Sequence, residues 1–428
     1  MSGKKRKRRR RRTGRLALGI GCMLLSAGAF AAVIYFSNAG RDEVEQEGAS
    51  QQTKEDSATR EEETKKQESE IDQKLEELTL QEKIAQMFMI TPDALTGVQG
   101  TWNPGEVTET AYKERPVGGL IMMENNLVSQ DQIKTWNDTI TGFSKEVVGV
   151  EPFLSVDEEG GTVARIAGNA ALGIENVGNM SEIGASGDSQ KAYDAGETIG
   201  TYLKELGFNM DFAPMADVWT NQENTVAQYR AFGSDPETVS EMVSEAIKGF
   251  HSQGIYTVTK HFPGHGGTSG DSHEGTVYLN STKEELESCE FLPFQAAIDA
   301  DTEFVMVGHI SLPNILEDDT PASLSEEVVT EMLRNDLGFD GIVITDAMNM
   351  GAITNNYTSA EAAVQAVQAG VDMILMPQDF EDAYQGILSA VNSGTISEDR
   401  IDESVRRILE VKMGESGDRK STRLNSSH

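Results

Sequence analysis

The sequence predicts an α/β protein: a (β/α)8 barrel over residues 76–413, preceded by an N-terminal transmembrane anchor and a polar linker. Three observations predict it. Eight short apolar runs alternate with longer amphipathic stretches. The polar residues best suited to chemistry fall at the C-terminal ends of those runs. Ten Lys or Arg residues precede Leu16–Phe36, which has no charged side chain.

Residues 1–15 form a basic head, placed on the cytoplasmic side by the positive-inside rule. Residues 16–36 are long enough to cross a bilayer as one helix. That makes a single-pass protein of the cell membrane, with the rest of the chain outside. The rival is a cleaved signal peptide and a secreted product, since Ala29-Phe30-Ala31 has small-x-small spacing. The apolar run continues through Val33-Ile34-Tyr35-Phe36, which favours the uncleaved anchor. Residues 37–75 read as a disordered polar linker, with a helical segment near its end.

The formal net charge is −34, although the head is strongly basic. Everything after the head is therefore more acidic still, and phosphates would be repelled, so nucleic acid is not an expected partner. Of two cysteines, Cys22 lies in the apolar segment and Cys289 has no obvious mate. No disulfide framework and no Cys-based zinc site follow.

The candidate strands are Gln86–Ile90, Gly118–Met123, Pro152–Val156, Asn209–Ala213, Tyr256–Lys260, Glu303–Val307, Gly341–Thr345 and Val371–Met376. Helical patterns include Ser189–Leu206, Pro236–Gln253, Thr282–Asp299 and Ser359–Ala369. A final helix ends near Met413. Its start is either the capping-box spacing Thr395 to Glu398 or a Ser397 N-cap followed by Glu398 and Asp399. Apolar strands alternating with helices imply a parallel sheet, and eight units fit a TIM-type barrel. A doubly wound sheet is the alternative, but no Gly-x-Gly-x-x-Gly follows the first strand. Residues 414–428 read as a partly artefactual tail, because composition changes abruptly from Asp418 and resembles a translated adapter.

Lys260–Gly275 concentrates proton-transfer groups. Three of the six histidines, His261, His265 and His273, lie there with Asp271 and Glu274. Glycines and a proline make most of it a loop, and imidazole titrates closest to neutral pH. Asp157 follows the third strand, Asp217 the fourth and His309 the sixth. Lys260 and His261 end the fifth, and Asp346 ends the seventh. Barrel enzymes carry their chemistry on that rim. A metal hydrolase using His261, His265, Asp271 and His273 is a rival, but the spacing fits no standard zinc motif. No metal or cofactor is expected.

Lys260-His-Phe-Pro-Gly-His-Gly266, Asp271-Ser-His273 and Ile344-Thr-Asp-Ala-Met-Asn-Met350 resemble glycoside hydrolase family 3, in its bacterial β-N-acetylglucosaminidase branch. Val156-Asp-Glu-Glu-Gly-Gly161 with Val163 and Arg165 fits the same pattern. So does Arg230-Ala-Phe-Gly-Ser-Asp-Pro236. The resemblance implies Asp346 as nucleophile and His273 as general acid/base, oriented by Asp271. It also implies that Asp157, Arg165, Arg230, Lys260 and His261 hold the terminal sugar. The expected function is exo-acting, retaining release of N-acetylglucosamine from cell-wall muropeptides or chitin oligomers. The alternatives are a β-glucosidase or glycoside phosphorylase of the same family, or an inactive cell-wall-binding barrel. Gly267–Gly270 reads as a hinge.

Overall fold

The computed structural model describes residues 64–270, 272 and 275–414. Eight parallel strands form one sheet: β1 (Phe88–Ile90), β2 (Gly119–Ile121), β3 (Phe153–Val156), β4 (Met210–Asp211), β5 (Tyr256–Phe262), β6 (Phe304–Val307), β7 (Ile342–Thr345) and β8 (Ile374–Leu375). Seven of the predicted runs contain one of them, and β5 runs two residues past the predicted Tyr256–Lys260. Neighbours in the sheet follow chain order, and β1 pairs with β8 through Phe88↔Ile374 and Met89↔Leu375. The remaining pair of edges meets through a bridge between Ile344 and Met373, which brings the sheet round into a barrel.

Apolar side chains on both faces make these strands. β1, β2, β3, β6, β7 and β8 are buried at every position, as parallel strands under a helical coat must be. Helices supply the crossovers. Gln190–Glu205 precedes β4 and Pro236–Ser252 precedes β5. The second begins on the Asp235 side chain, which accepts the Thr238 N–H, with Pro236 at the first helical position. These helices touch through glycine. A Cβ on Gly196 would stand 2.3 Å from the Ala246 carbonyl oxygen, so the contact requires a bare backbone there.

The barrel is closed at the N-terminal end of its strands. Phe153 meets Tyr256 and Phe304 edge to face, with centroids 5.9 and 5.0 Å away. Lys412, near the end of Glu398–Met413, lies 4.9 Å over the Phe153 ring and donates to Gln86. Tyr256 donates its hydroxyl to the Val411 carbonyl. Below β8, buried Asp372 gathers Arg334, Arg407 and Arg400, with Ser404 and the Val343 N–H. Burial works against its ionisation, yet the three guanidinium groups hold the carboxyl below its usual range.

Three sequence expectations are refined. The stretch Thr282–Asp299 is two helices, Lys283–Ser288 and Phe291–Asp299. A continuous helix would set Pro293 against the Cys289 carbonyl with no N–H to offer. Restarting at Phe291 puts the proline in a first turn, where its missing donor costs nothing. The last helix takes its Ser397 start: that hydroxyl accepts the Arg400 N–H at 3.1 Å. Residues 64–77 are helical and bury Ile71 and Leu75, so ordered structure begins ahead of residue 76. The basic head, the 16–36 segment and most of the linker lie outside the described residues, as do residues 415–428 of the tail. Among the described residues no helix is long and apolar enough to cross a membrane.

Candidate active site

Asp157 follows β3 directly, and Lys260 stands near the C-terminal end of β5. The Lys260 ammonium lies 2.9 Å from Asp157 Oδ1 and 2.7 Å from Glu159 Oε1. Glu159 also receives a two-pronged bond from Arg230: Nε to Oε2 at 2.8 Å and NH2 to Oε1 at 2.7 Å. Lys260 and Glu159 are both nearly inaccessible. Burial alone would neutralise the Glu159 carboxyl, but Arg230 and Lys260 overcome it and hold Glu159 ionised far below its ordinary value. Burial likewise disfavours the Lys260 cation, and Asp157 and Glu159 more than restore it.

His261 is set by Asp217. Its Nδ1 lies 2.7 Å from Asp217 Oδ2, and its backbone N–H approaches Oδ1. The same Oδ1 accepts the His265 N–H at 2.5 Å. With a carboxylate on Nδ1, that nitrogen carries the proton and Nε2 is the other face of the ring.

Asp346 follows β7. Its N–H donates to the Val307 carbonyl, and its Oδ1 accepts the Ala347 N–H at 2.7 Å. Burial raises its pKa, but His261, His309, that N–H and Lys260 together pull it below the ordinary carboxylate value. His309, beyond β6, faces the Ala347 carbonyl through Nε2 at 3.1 Å and Ser323 through Nδ1 at 2.8 Å. A carbonyl can only accept, so Nε2 of His309 carries a proton.

The structure thus brings Asp157, Arg230, Lys260, His261 and Asp346 to one rim. Arg165 sits at its margin. Its backbone N–H bonds the Asp157 carbonyl, but its guanidinium pairs with exposed Glu124 at 3.2 Å. The predicted acid/base pair, Asp271 and His273, lies outside the described residues; Ser272 between them is described. Sequence reasoning gave no role to Glu159, although it lies in the quoted motif after β3. The available signal was a second carboxylate two residues past Asp157, where a strand reaches the rim. Asp217 and His309 were placed on the rim without a task, and the structure gives each one.

Beneath the rim lies a second layer. Buried Glu158 takes the Ile166 and Ala167 N–H groups and the Tyr202 hydroxyl on its carboxylate. Its own N–H donates to Asp211 Oδ1 at 2.9 Å. Burial, and then the Glu158 charge, push the Asp211 carboxyl well above its usual range. Glu158 therefore ties the tip of β3 to the backbone that carries Arg165.

An ionised carboxylate on a parallel barrel's C-terminal rim, flanked by a lysine and an oriented histidine, defines a (β/α)8-barrel enzyme. The chain belongs to glycosyl hydrolase family 3, whose N-terminal domain profile matches residues 79–411. It is 30% identical over 333 residues to beta-hexosaminidase A of Pseudoalteromonas piscicida, spanning 72% of this chain and 55% of that protein. It is 33% identical over 267 residues to beta-hexosaminidase LpqI of Mycobacterium tuberculosis, spanning 60% of this chain and 67% of that one. Among solved structures it is similar to a family 3 beta-N-acetylglucosaminidase from Paenibacillus sp. FPU-7. There the TM-score is 0.73 at 36% identity, over 78% of this chain and 63% of that one. The chain spans about half the length of the first curated relatives it matches.

Proposed function

We propose that this protein is an exo-acting, retaining β-N-acetylglucosaminidase that removes terminal N-acetylglucosamine from muropeptides or chitin oligomers. The observation that carries the reading is Asp346: a carboxylate on the rim after β7, held below its ordinary pKa by His261, His309, the Ala347 N–H and Lys260. Relatives named beta-hexosaminidase support it.

Asp157, Lys260, His261, Arg230 and Arg165 hold the hydroxyls of the terminal sugar. One Asp346 oxygen attacks the anomeric carbon as the bond to the leaving oxygen breaks. That oxygen takes a proton from His273, whose imidazolium form Asp271 stabilises. Water then attacks the glycosyl–Asp346 ester, giving its proton to His273 and freeing Asp346. A histidine in this place is uncharged when it acts as base, so it does not repel an anionic acceptor, and the same site would admit phosphate in place of water. With Leu16–Phe36 as an anchor, the enzyme works outside the membrane, where such glycans are found.

The test is release of nitrophenol from p-nitrophenyl N-acetyl-β-glucosaminide, with the β-glucoside as control. Turnover of the first and not the second supports the assignment. No turnover of either sinks it in favour of a binding barrel. Preference for the β-glucoside selects a β-glucosidase, and a sugar 1-phosphate formed in phosphate buffer selects phosphorolysis.

A further inference from the structure

Ser272 is pinned from two sides. Its hydroxyl lies 3.3 Å from His265 Nε2, and its carbonyl accepts the Ala352 N–H at 3.3 Å. Both Ser272 and His265 are buried, 3% and 5% exposed. Ala352 lies in the first turn of Gly351–Thr354, just beyond Asp346, where an N–H has no partner in its own helix. Ser272 is therefore fastened to the segment that carries Asp346.

His265 is held as firmly. Its backbone N–H is fixed by Asp217, and its Nδ1 lies 2.9 Å from Thr268 Oγ1. The Thr268 hydroxyl donates to the His265 carbonyl at 2.8 Å. Its single proton is thus spent, so Nδ1 of His265 is the donor and the Nε2 lone pair receives the Ser272 hydroxyl. Burial and then neighbouring His261 lower the affinity of His265 for a second proton, which leaves that lone pair in place. Asn224 closes the base by donating to the His265 carbonyl at 2.8 Å.

We propose that His265 and Ser272 are positioning residues for proton transfer: the chain Asp217–His265–Ser272–Ala352 fastens Ser272, the sequence neighbour of both Asp271 and His273, to the segment that carries Asp346. The inference rests on the family 3 hydrolase reading above. It goes further by giving buried, non-contacting residues control of the acid step alone. Neither side chain needs to touch the sugar.

A purely structural role would lower activity on every substrate alike. A role in acid positioning depends on the leaving group, because acid catalysis matters least when the departing oxygen is already a weak base. The experiment measures kcat/KM of S272A and H265N on two substrates, a disaccharide with terminal β-N-acetylglucosamine and 2,4-dinitrophenyl N-acetyl-β-glucosaminide. We expect a fall of about five- to tenfold on the disaccharide, the scale of one lost hydrogen bond, and less than about twofold on the aryl glycoside. Equal falls on both substrates, or none on either, overturn the proposal. Melting curves accompany each variant; if S272A melts below the assay temperature, S272C, which keeps the volume and a weak donor, is judged by the same two-substrate criterion. A wild-type protein inactive on the aryl substrate would instead refute the hydrolase reading itself.

Discussion

His261 donates from Nδ1 to Asp217 Oδ2 across 2.7 Å, and Asp217 is fully buried behind it. The carboxylate accepts the Nδ1–H hydrogen bond and so leaves Nε2 as the free nitrogen of a ring whose charge is felt by Asp346. It reaches His265 through the same side chain, so one residue sets two histidines. For D217A we expect kcat/KM to fall by about 10- to 100-fold, the loss of a charge-assisted bond. The fall should appear on both substrates, as the proposed role of His261 at the retained sugar requires, and be larger on the disaccharide, because Asp217 also anchors His265. A loss confined to the disaccharide would contradict that placement.

His273 should show the opposite pattern. H273A is expected to lose about 100-fold or more on the disaccharide and far less on an activated aryl glycoside, since only the former needs a proton on its leaving oxygen. D346A should abolish both, because no covalent glycosyl intermediate can form. Steady-state assays of the two variants side by side check this. Residual D346A turnover equal to wild type on either substrate would refute the nucleophile assignment.

Glu159 is the counter-charge for two buried cations. E159L leaves Lys260 with Asp157, and Arg230 with the charges of Asp217 and Asp157 but without its two-pronged bond, and we expect a stability loss of about 3–5 kcal/mol, the usual consequence of removing one partner of a buried pair. Urea unfolding measures it. A midpoint unchanged from wild type would mean that the pair contributes nothing to the fold.

Stability should fall in acid. Glu159, Asp217, Asp346 and Asp372 all have carboxyls held below their ordinary values. Such groups stabilise the fold above the unfolded carboxylate pKa, about 4, and lose that contribution as pH falls through their lower folded values. Asp211 is raised, so its contribution is present below about 4 and is lost as pH climbs through its folded value. Melting temperature should thus drop steeply below about pH 4. D372N should flatten that acid limb, and D211N, permanently neutral, should leave it unaltered. An acid limb as steep in D372N as in wild type would count against Asp372 as a contributor.

Much of the frame was legible because burial on both faces leaves a strong trace. A run such as Gly341–Thr345 can hardly be anything but an inner strand, and its final position hands Asp346 to the rim. Lys260 and His261 were readable for the same reason. What escaped was whatever depends on a partner distant in sequence. Glu159 looks like one more acid among many until Arg230, 71 residues later, folds onto it. Ser272 looks like a spacer until His265 and Ala352 close on it. The division of Thr282–Asp299 was available in principle, since Pro293 marks it, but amphipathic spacing outweighed a single residue.

Gln67 donates to the Met413 carbonyl, and Val411 and Lys412 lie against the floor formed by Tyr256 and Phe153. Gln67 and Met413 therefore meet on the side of the barrel away from the rim that carries Asp346. A support attached at residue 67 or 413 should leave that rim facing outward and free to receive a bulky glycan.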